Sequence, residues 1–255
     1  MPGGRLEGRS AVVTGAGRGL GRGIALALAK EGASVACIGR TAATIEDTAR
    51  LVAARGVGAY AVRCDVTSQA EVAAAIAEVG EAFGTIEILV NNAMDHHHLP
   101  IEEITEAELD RAVRSSLYGS LFCMQACFPF LRRRGGAVVN FASAGGTEGW
   151  PGQAAYAAAK EAVRGLTKAA AAEWGPLGIT VNAVAPMGVS DAFAAWYDGL
   201  GDAAKAEQLE RVPLRRFGDP ERDIGAVVAF LASPDAAYIT GRTIFVDGGR
   251  SFYDR

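Results

Sequence analysis

The sequence is short of the residues that build metal centres and disulfide frameworks. Its three histidines are adjacent, at His96–His98, and its four cysteines form no CxxC pair (Cys37, Cys64, Cys123 and Cys127). Adjacent side chains seldom converge on one ion, and no partner at ligand spacing accompanies them. We therefore expect no metal site, and we expect the cysteines to fill apolar space in the core.

Two further absences narrow the class of protein. The 25 basic and 29 acidic residues give a formal net charge of −4, an excess too small to steer the chain toward nucleic acid. No apolar run approaches the length of a membrane span, and residues 1–10 lack the apolar stretch of a secretory signal. These absences predict a cytoplasmic protein without a nucleic-acid or membrane partner.

Strand-like and helix-like patterns alternate along all 255 residues, half of which are hydrophobic. Most of the strand-like runs are continuously apolar, as in a parallel sheet covered on both faces. Strands are predicted at 11–14, 35–38, 59–62, 86–90, 137–141, 180–184 and 243–246, and helices at 20–31, 43–55, 68–83, 105–133, 153–174 and 219–232. The alternation predicts an α/β fold, a Rossmann-like doubly wound parallel sheet of about seven strands flanked by helices.

No repeat or linker marks a second domain, so residues 1–255 are expected to form a single dinucleotide-binding and catalytic domain. The one irregular stretch is 187–215, after the sixth predicted strand. Because ligands of such sheets bind beyond the carboxyl ends of the strands, this stretch is predicted to be a substrate lid.

A glycine-rich turn, Thr14-Gly-Ala-Gly-Arg-Gly-Leu-Gly21, follows the first predicted strand and runs into a helix. The common GxGxxG spacing does not fit, because Leu20 stands where the third glycine is needed. The spacing of Gly15, Gly19 and Gly21 does fit a turn that lets the backbone approach a pyrophosphate, whose charge the helix amino end stabilises. The position of the turn therefore indicates a dinucleotide site.

The end of the second strand indicates which dinucleotide. An NAD site usually has Asp or Glu about 20 residues past the glycines, to bind the ribose 2′-hydroxyl. This strand ends at Arg40 with no carboxylate. Arg40 offers a planar fork suited to a 2′-phosphate, and Arg18 lies in the glycine turn. The two arginines favour NADP, although both are also compatible with ordinary solvated loop positions.

A second group of candidate functional residues follows the fifth predicted strand. Ser143 comes just after it, and Tyr156 and Lys160 open the next helix at i and i+4, on one face. A free phenol, with a pKa near 10, exchanges protons reluctantly at neutral pH, and a nearby ammonium favours the phenolate. Tyr156 is therefore the candidate acid/base, Lys160 the group that lowers its pKa, and Ser143 the donor that orients a carbonyl.

Together these motifs resemble the compact, single-domain branch of the short-chain dehydrogenase/reductase family, over nearly the whole chain. The glycine turn matches that family's TGxxxGxG, and Tyr156 with Lys160 matches its YxxxK. Further matches are Asp65-Val66 beside the adenine, Asn91-Asn92-Ala93 after strand four, Pro186 after strand six, and Thr240-Gly241 with Val246–Gly249 near the end.

The resemblance implies that Ser143, Tyr156 and Lys160 are catalytic and that Lys160 also binds the nicotinamide ribose. The residues predicted to bind the cofactor are Thr14, Gly15, Arg18, Gly19, Leu20, Gly21, Arg40, Asp65, Val66, Asn91, Ala93, Tyr156, Lys160, Pro186 and Val189. The resemblance also implies a homotetramer in which helices 105–133 and 153–174 pair across one dyad.

Three positions depart from the family pattern, all expected near the nicotinamide. Met94 and Met187 stand where the family has glycine. Ser116 replaces the asparagine that completes the family's catalytic tetrad by holding a water, so Ser116 is expected to take part in the proton relay with a shorter reach. The methionines are expected to reshape the pocket.

The residues predicted to line the substrate site are Ser143, Met94, His96, Trp150, Met187, Phe193 and Trp196. Aromatic groups at the rim suit an apolar or ring-bearing substrate, but those of the lid are equally compatible with packing its own helix onto the body. The leading hypothesis is an NADP-dependent carbonyl reductase or alcohol dehydrogenase. The alternatives are a 3-oxoacyl thioester reductase and a catalytically weak NADP-binding regulator.

Overall fold

A computed structural model of the chain describes residues 4–189 and 191–251. These residues form a parallel sheet of seven strands, as the sequence predicts, and the structure gives the strand order β3-β2-β1-β4-β5-β6-β7. Its strands are β1 (Ser10–Thr14), β2 (Ser34–Gly39), β3 (Ala59–Arg63), β4 (Ile88–Asn91), β5 (Gly136–Phe141), β6 (Ile179–Pro186) and β7 (Thr243–Val246).

Helices cover both faces of the sheet. They are α1 (Gly19–Lys30), α2 (Ala42–Ala53), α3 (Gln69–Phe83), α4 (Glu106–Val113), α5 (Gly119–Arg134), α6 (Ala144–Glu148), α7 (Ala154–Trp174), α8 (Asp191–Asp198), α9 (Asp202–Glu210) and α10 (Ala226–Leu231). A π-turn, Arg114–Tyr118, joins α4 to α5, so the predicted helix 105–133 is one rod with a wider turn inside it. A second π-turn, Pro220–Gly225, precedes α10.

Two apolar layers, one on each face of the sheet, hold the helices in place. One layer includes Val13, Ile24 and Leu28 and packs α1, α2 and α10 against the strands. The other includes Leu89, Ile76 and Met124 and packs α3, α5 and α7. The strands read as continuous apolar runs because residues of both pleat faces are buried.

The sheet reverses its winding direction between β1 and β4. The chain moves outward from β1 to β2 and β3 on one side, then returns to place β4 on the other side. A crevice therefore opens beyond the carboxyl ends of β1 and β4, where the glycine turn and the Asn91–Ala93 segment emerge.

The segment predicted as an irregular lid is more regular than the sequence suggested, because it contains α8 and α9. Its ends are held together: Gly218 N–H donates to the Met187 carbonyl at 3.0 Å, and Val189 N–H donates to the Gly218 carbonyl at 3.0 Å. Short helices rich in polar residues carry little periodic apolar signal, which is why the pattern did not reveal α9. Ser190, within the predicted lid, lies outside the described residues.

Candidate active site

A cleft of about 540 Å³ lies over the carboxyl ends of β1, β2 and β4. Its lining includes Gly15, Arg18, Gly19, Leu20, Gly21, Arg40, Asp65, Val66, Ala93 and Met94, all predicted site residues. Gly15 and Gly19 have φ angles of +64° and +51°, a region that glycine enters at little cost. A Cβ on Gly21 would lie 2.1 Å from the Gly15 carbonyl oxygen, so the turn closes only with glycine there.

The amino end of α1 opens on this cleft. Within the described part of the chain no side chain caps it, so the N–H groups of its first turn can bind an anion. The chemistry of the cleft fits a dinucleotide, with peptide N–H donors for a pyrophosphate and the cation Arg40 at the end of β2. The Asp65 carboxylate accepts hydrogen bonds from the Thr67 N–H and hydroxyl groups at 2.9 and 2.8 Å, which fixes the floor near Val66.

Two predicted cofactor residues support the cleft from below. The Thr14 hydroxyl, 1% exposed, accepts hydrogen bonds from the N–H groups of Asn92 and Ala93 at 3.0 and 3.1 Å. Asn91 is also buried and donates to Asn140 Oδ1 at 2.9 Å. Both side chains tie strands together beneath the cleft, and their contact with cofactor stays a prediction.

The predicted residues of the post-β6 segment approach the same region from another side. Pro186 ends β6, and Gly188 lies so close to Leu20 that an added Cβ would be 2.7 Å from its Cδ2. Val189 lines a separate surface pocket with Arg18. The structure thus brings the glycine turn and the start of the predicted lid together.

Arg40 has a partner that the sequence analysis missed. Its Nη1 lies 3.0 Å from Asp95 Oδ2, and both residues line the cleft. Asp95 follows β4, fifty-five positions further along the chain, so only the parallel pairing of the strands brings the two together. The carboxylate that sequence analysis found missing beside Arg40 is therefore present in space.

The three predicted catalytic side chains converge at the start of α7. The Ser143 side chain interacts with the Tyr156 phenol, and its hydroxyl accepts a hydrogen bond from Gly145 N–H at 3.1 Å as the cap of α6. Lys160 is 4% exposed, and its Nζ donates to the Phe141 carbonyl at 2.7 Å. The same ammonium lies 5.7 Å from the centroid of the Tyr156 ring.

Burial controls the ionisation of this group in the protein alone. It raises the pKa of Tyr156, and the hydrogen bond from Ser143 acts in the opposite direction. Burial also lowers the pKa of Lys160 to about 8. Desolvation thus opposes the charged form of both groups in the protein alone, and the role of Lys160 in lowering the pKa of Tyr156 stays a prediction.

His96 stacks on the predicted acid/base. Its ring centroid lies 4.3 Å from that of Tyr156, with 31° between the planes, and 5.0 Å from that of His98. Burial, with His98 and Lys160 nearby, lowers the pKa of His96 to about 4, so the imidazole is neutral near pH 7. His97 instead pairs with Glu108 at 3.0 Å. Across the described residues, no cluster of His, Cys, Asp or Glu is arranged to hold a metal ion.

The three positions that depart from the family pattern lie around this site. Met94 packs against a buried cluster formed by Ala112 of α4 with Ala155 and Ala159 of α7, and it also lines the cleft, so it lies between the cleft and α7. Ser116 is 1% exposed in the first π-turn, and its hydroxyl finds no hydrogen-bond partner among the described residues. The Met187 N–H donates to the Val246 carbonyl of β7, and the Met187 carbonyl accepts a hydrogen bond from Gly218 N–H.

Gln153, a polar residue that the sequence did not indicate, lies beside Gly145 together with Trp150 and Ser143. A Cβ at that glycine would lie 2.4 Å from Gln153 Oε1, 3.3 Å from Trp150 Cε3 and 3.4 Å from Ser143 Oγ. Trp150 is therefore close to Ser143, and Gln153 shares that space, while contact of Trp150 with substrate stays a prediction. The Gln153 oxygen is buried with no partner in the described chain, a signal that becomes visible only in three dimensions.

The lid aromatics form a cluster of their own. The Phe193 ring lies 5.4 Å from that of Trp196 and 4.7 Å from that of Phe217, and Tyr197 contacts Phe217 at 5.2 Å. Trp196 is 48% exposed. These contacts favour the alternative in which the aromatics pack the lid helix onto the body, and contact with substrate stays a prediction.

A nucleotide cleft, a phenol with a hydroxyl partner and a buried lysine define a dinucleotide-dependent oxidoreductase of the Rossmann type. The family model described as enoyl-(acyl carrier protein) reductase matches residues 15–251. The 3-oxoacyl-(acyl-carrier-protein) reductase FabG of Staphylococcus aureus is 45% identical, covering 94% of this chain and 97% of that protein. The 12alpha-hydroxysteroid dehydrogenase of a Clostridium species is 38% identical, over 96% and 98%.

A solved structure agrees with these relatives. NAD+-bound xylitol dehydrogenase superposes with a TM-score of 0.89 at 31% identity, covering 96% of this chain and 99% of that one. The chain belongs to the short-chain dehydrogenase/reductase family, and it is an oxidoreductase that uses a nicotinamide cofactor and a small-molecule substrate. Among the described residues, no helix is both long and apolar enough to cross a membrane.

Proposed function

We propose that this oxidoreductase transfers hydride between NADP(H) and a carbonyl/secondary alcohol pair, with Tyr156 as acid/base. The observation that carries the proposal is the grouping of Ser143 and Lys160 around Tyr156: the Ser143 side chain interacts with the phenol, and Lys160 Nζ lies 5.7 Å from the centroid of its ring. Met94 packs against the cluster that includes Ala155 and Ala159 of α7 and also lines the cleft, which supports a position of this group beside the nicotinamide end.

The protein's own residues would manage the proton. Tyr156 donates its phenol proton to the oxygen of the carbonyl as that oxygen gains negative charge, and accepts a proton in the reverse direction. Ser143 donates a hydrogen bond to the same oxygen and so holds the carbonyl in place. A bound nicotinamide would supply or accept the hydride.

Lys160 and Ser116 would support this transfer. Lys160 Nζ has donors beyond the one used by Phe141, and these suit the nicotinamide ribose hydroxyls. The buried Ser116 hydroxyl, with no partner in the described part of the protein, suits an ordered water between the π-turn and the lysine. These roles follow the family's Asn-Ser-Tyr-Lys tetrad, with serine in place of asparagine.

The choice of NADP over NAD rests on Arg40 at the end of β2. The guanidinium lines the cleft, and its side chain is 59% exposed, so it can form a bidentate contact with a 2′-phosphate. The position after β2 carries no carboxylate of its own that would favour a free ribose hydroxyl.

The direct test is an assay of hydride transfer over a library of ketones, aldehydes and secondary alcohols, run with NADPH or NADP+ and with NADH or NAD+. Turnover at least about tenfold more efficient with the phosphorylated cofactor supports the proposal, because a lost charge-assisted contact costs about that factor. Equal turnover with both cofactors contradicts the NADP assignment. Cofactor binding without turnover of any substrate would favour the catalytically weak regulator instead.

The likeness to a 3-oxoacyl-(acyl-carrier-protein) reductase supports a second candidate substrate class, 3-oxoacyl thioesters. Both candidates use the same Ser143, Tyr156 and Lys160 chemistry, so the site geometry does not separate them. Comparing kcat/KM for a 3-oxoacyl thioester with that for a free cyclic ketone does. A clear preference for the thioester would assign this class to the chain.

We also propose a cytoplasmic homotetramer of single-domain subunits in which 187–215 acts as lid. The four cysteines are free and buried, which suits a reducing compartment. Leu109 of α4 and Tyr118 of the first π-turn are exposed apolar residues on the rod proposed to pair across a dyad. Light scattering of the purified protein would test the assembly.

A further inference from the structure

Asp95 reaches across the cofactor cleft to the residue proposed to bind the 2′-phosphate. Arg40 Nη1 lies 3.0 Å from Asp95 Oδ2; Arg40 directly follows β2, and Asp95 follows β4. The crevice between those strand ends is the nucleotide cleft, and both side chains line it. The ion pair therefore lies inside the cofactor site.

The carboxylate is held in this position by the segment around it. The Ser115 hydroxyl accepts a hydrogen bond from Asp95 N–H at 3.0 Å and itself donates to the Arg111 carbonyl at 2.8 Å. Arg111 Nη1 lies 3.8 Å from Asp95 Oδ2, and Glu108 lies 3.6 Å from Arg111 on its other side. The main chain at Asp95 is therefore held in place, and its carboxylate, 28% exposed, lies near two arginines, whereas the side chain of Arg40 is 59% exposed.

A 2′-phosphate arriving at Arg40 meets this anion. Either the phosphate displaces Asp95, which costs the ion pair, or it shares the guanidinium with Asp95, which brings two negative groups close together. A ribose with a free 2′-hydroxyl brings no charge, and its hydroxyl can donate to the carboxylate. Both outcomes weaken NADPH binding relative to NADH binding.

We propose that Asp95 is a cofactor-specificity residue that opposes Arg40 and narrows the preference for NADP(H) over NAD(H). This inference rests on the proposed function, since it assumes that Arg40 binds the 2′-phosphate. Asp95 thus supplies, from the segment after β4, the negative charge that NAD sites usually carry at the end of β2.

The test is a binding titration of the purified full chain with NADPH and NADH, followed by cofactor fluorescence, for the parent and Asp95→Asn. We expect the variant to bind NADPH about fivefold more tightly with NADH affinity changed less than about twofold, the size expected for an exposed charge pair. The gain should shrink at high salt. Asp95→Ser serves as a second variant, and 2′,5′-ADP as a competitor shows whether the effect lies at the 2′-phosphate.

Asp110→Asn is the matched control, because it removes a carboxylate with an exposed arginine partner, Arg114 at 4.0 Å, from α4. It should leave both affinities unchanged. If Asp95→Asn leaves the ratio of NADPH to NADH affinity unchanged, or binds NADPH more weakly, the inference is overturned. The variant Arg40→Gln tests the proposed cofactor separately. If Arg40→Gln alters neither affinity, the NADP assignment itself fails, and the inference fails with it.

Discussion

The imidazole of His96 lies 4.3 Å from the ring of Tyr156 and 31° from parallel to it. Two aromatic rings at this separation hold each other's orientation and exclude water from one face of the phenol. The contact joins the segment after β4, where cofactor residues are predicted, to helix α7, which carries the proposed acid/base Tyr156. It suggests that His96 positions Tyr156 by packing.

Replacing His96 by Phe should therefore preserve activity better than replacing it by Ala. We expect His96→Phe to keep kcat within about threefold of the parent and His96→Ala to lower it about tenfold, as the loss of a stacked ring allows. Because the pKa of His96 is about 4, the pH profile between pH 5 and 8 should be the same for the parent and His96→Phe. A pH limb near 6 that disappears in His96→Phe would assign a proton-transfer role to His96.

Removing the Tyr156 hydroxyl should remove the acid/base. We expect Tyr156→Phe to lower kcat by about 10²–10⁴-fold, the range for general acid–base groups, with cofactor affinity nearly unchanged. Tyr118→Phe is the matched control, since that phenol is 44% exposed on the first π-turn. Steady-state kinetics and cofactor titration measure the two quantities, and retained turnover in Tyr156→Phe would contradict the assignment.

Burial of Lys160 should be visible in the pH dependence of stability. The folded protein releases this proton near pH 8, whereas the unfolded chain keeps it to its usual pKa of 10.5. Between these values the unfolded state binds more protons, so rising pH relieves the cost of burying the charge. Lys160→Met has no charge to bury, so its free energy of unfolding should exceed that of the parent by the largest margin below pH 8.

Between pH 7 and 10, the free energy of unfolding of the parent should rise by about 2 kcal/mol relative to that of Lys160→Met. Urea unfolding at several pH values measures it. The exposed Lys168, on the same helix, provides the control variant Lys168→Met. A difference independent of pH would mean that the pKa of Lys160 is not lowered in the folded protein.

Removing the guanidinium of Arg40 should change cofactor selectivity. We expect Arg40→Gln to weaken NADPH binding about tenfold and to change NADH binding little, since only the phosphorylated cofactor needs the cation. Arg50, which pairs with Asp47 on the exposed surface of α2, is the control position. Fluorescence titration measures both affinities, and an equal loss for both cofactors would show that Arg40 does not read the 2′-phosphate.

The fold was predictable because its signals are local. Apolar runs and helical periodicity depend only on neighbours in sequence, and the parallel sheet follows from their alternation. The elements missed as separate units were those with weak local signals: α6, whose five residues are capped by Ser143, and α9, which has no buried residue. The two π-turns were also missed, since they continue a helical pattern without interrupting it.

The candidate site was predictable as far as it depends on motifs with characteristic spacing, such as Tyr156 and Lys160 one turn apart. The pairing of Arg40 with Asp95, the stacking of His96 on Tyr156 and the position of Gln153 over Gly145 were not predictable. Each joins residues whose proximity depends on strand order and loop path.

By itself, therefore, the sequence determined the family, the order of strands and helices and the chemical types at the active site, because residue type and short-range spacing carry that information. Only the tertiary structure decided the electrostatic balance of the site. Burial, which raises the pKa of Tyr156 and lowers that of Lys160, and the carboxylate opposite Arg40 arise from segments far apart in the chain. Desolvation and Coulomb interactions depend on distance in space, which the order of residues does not state.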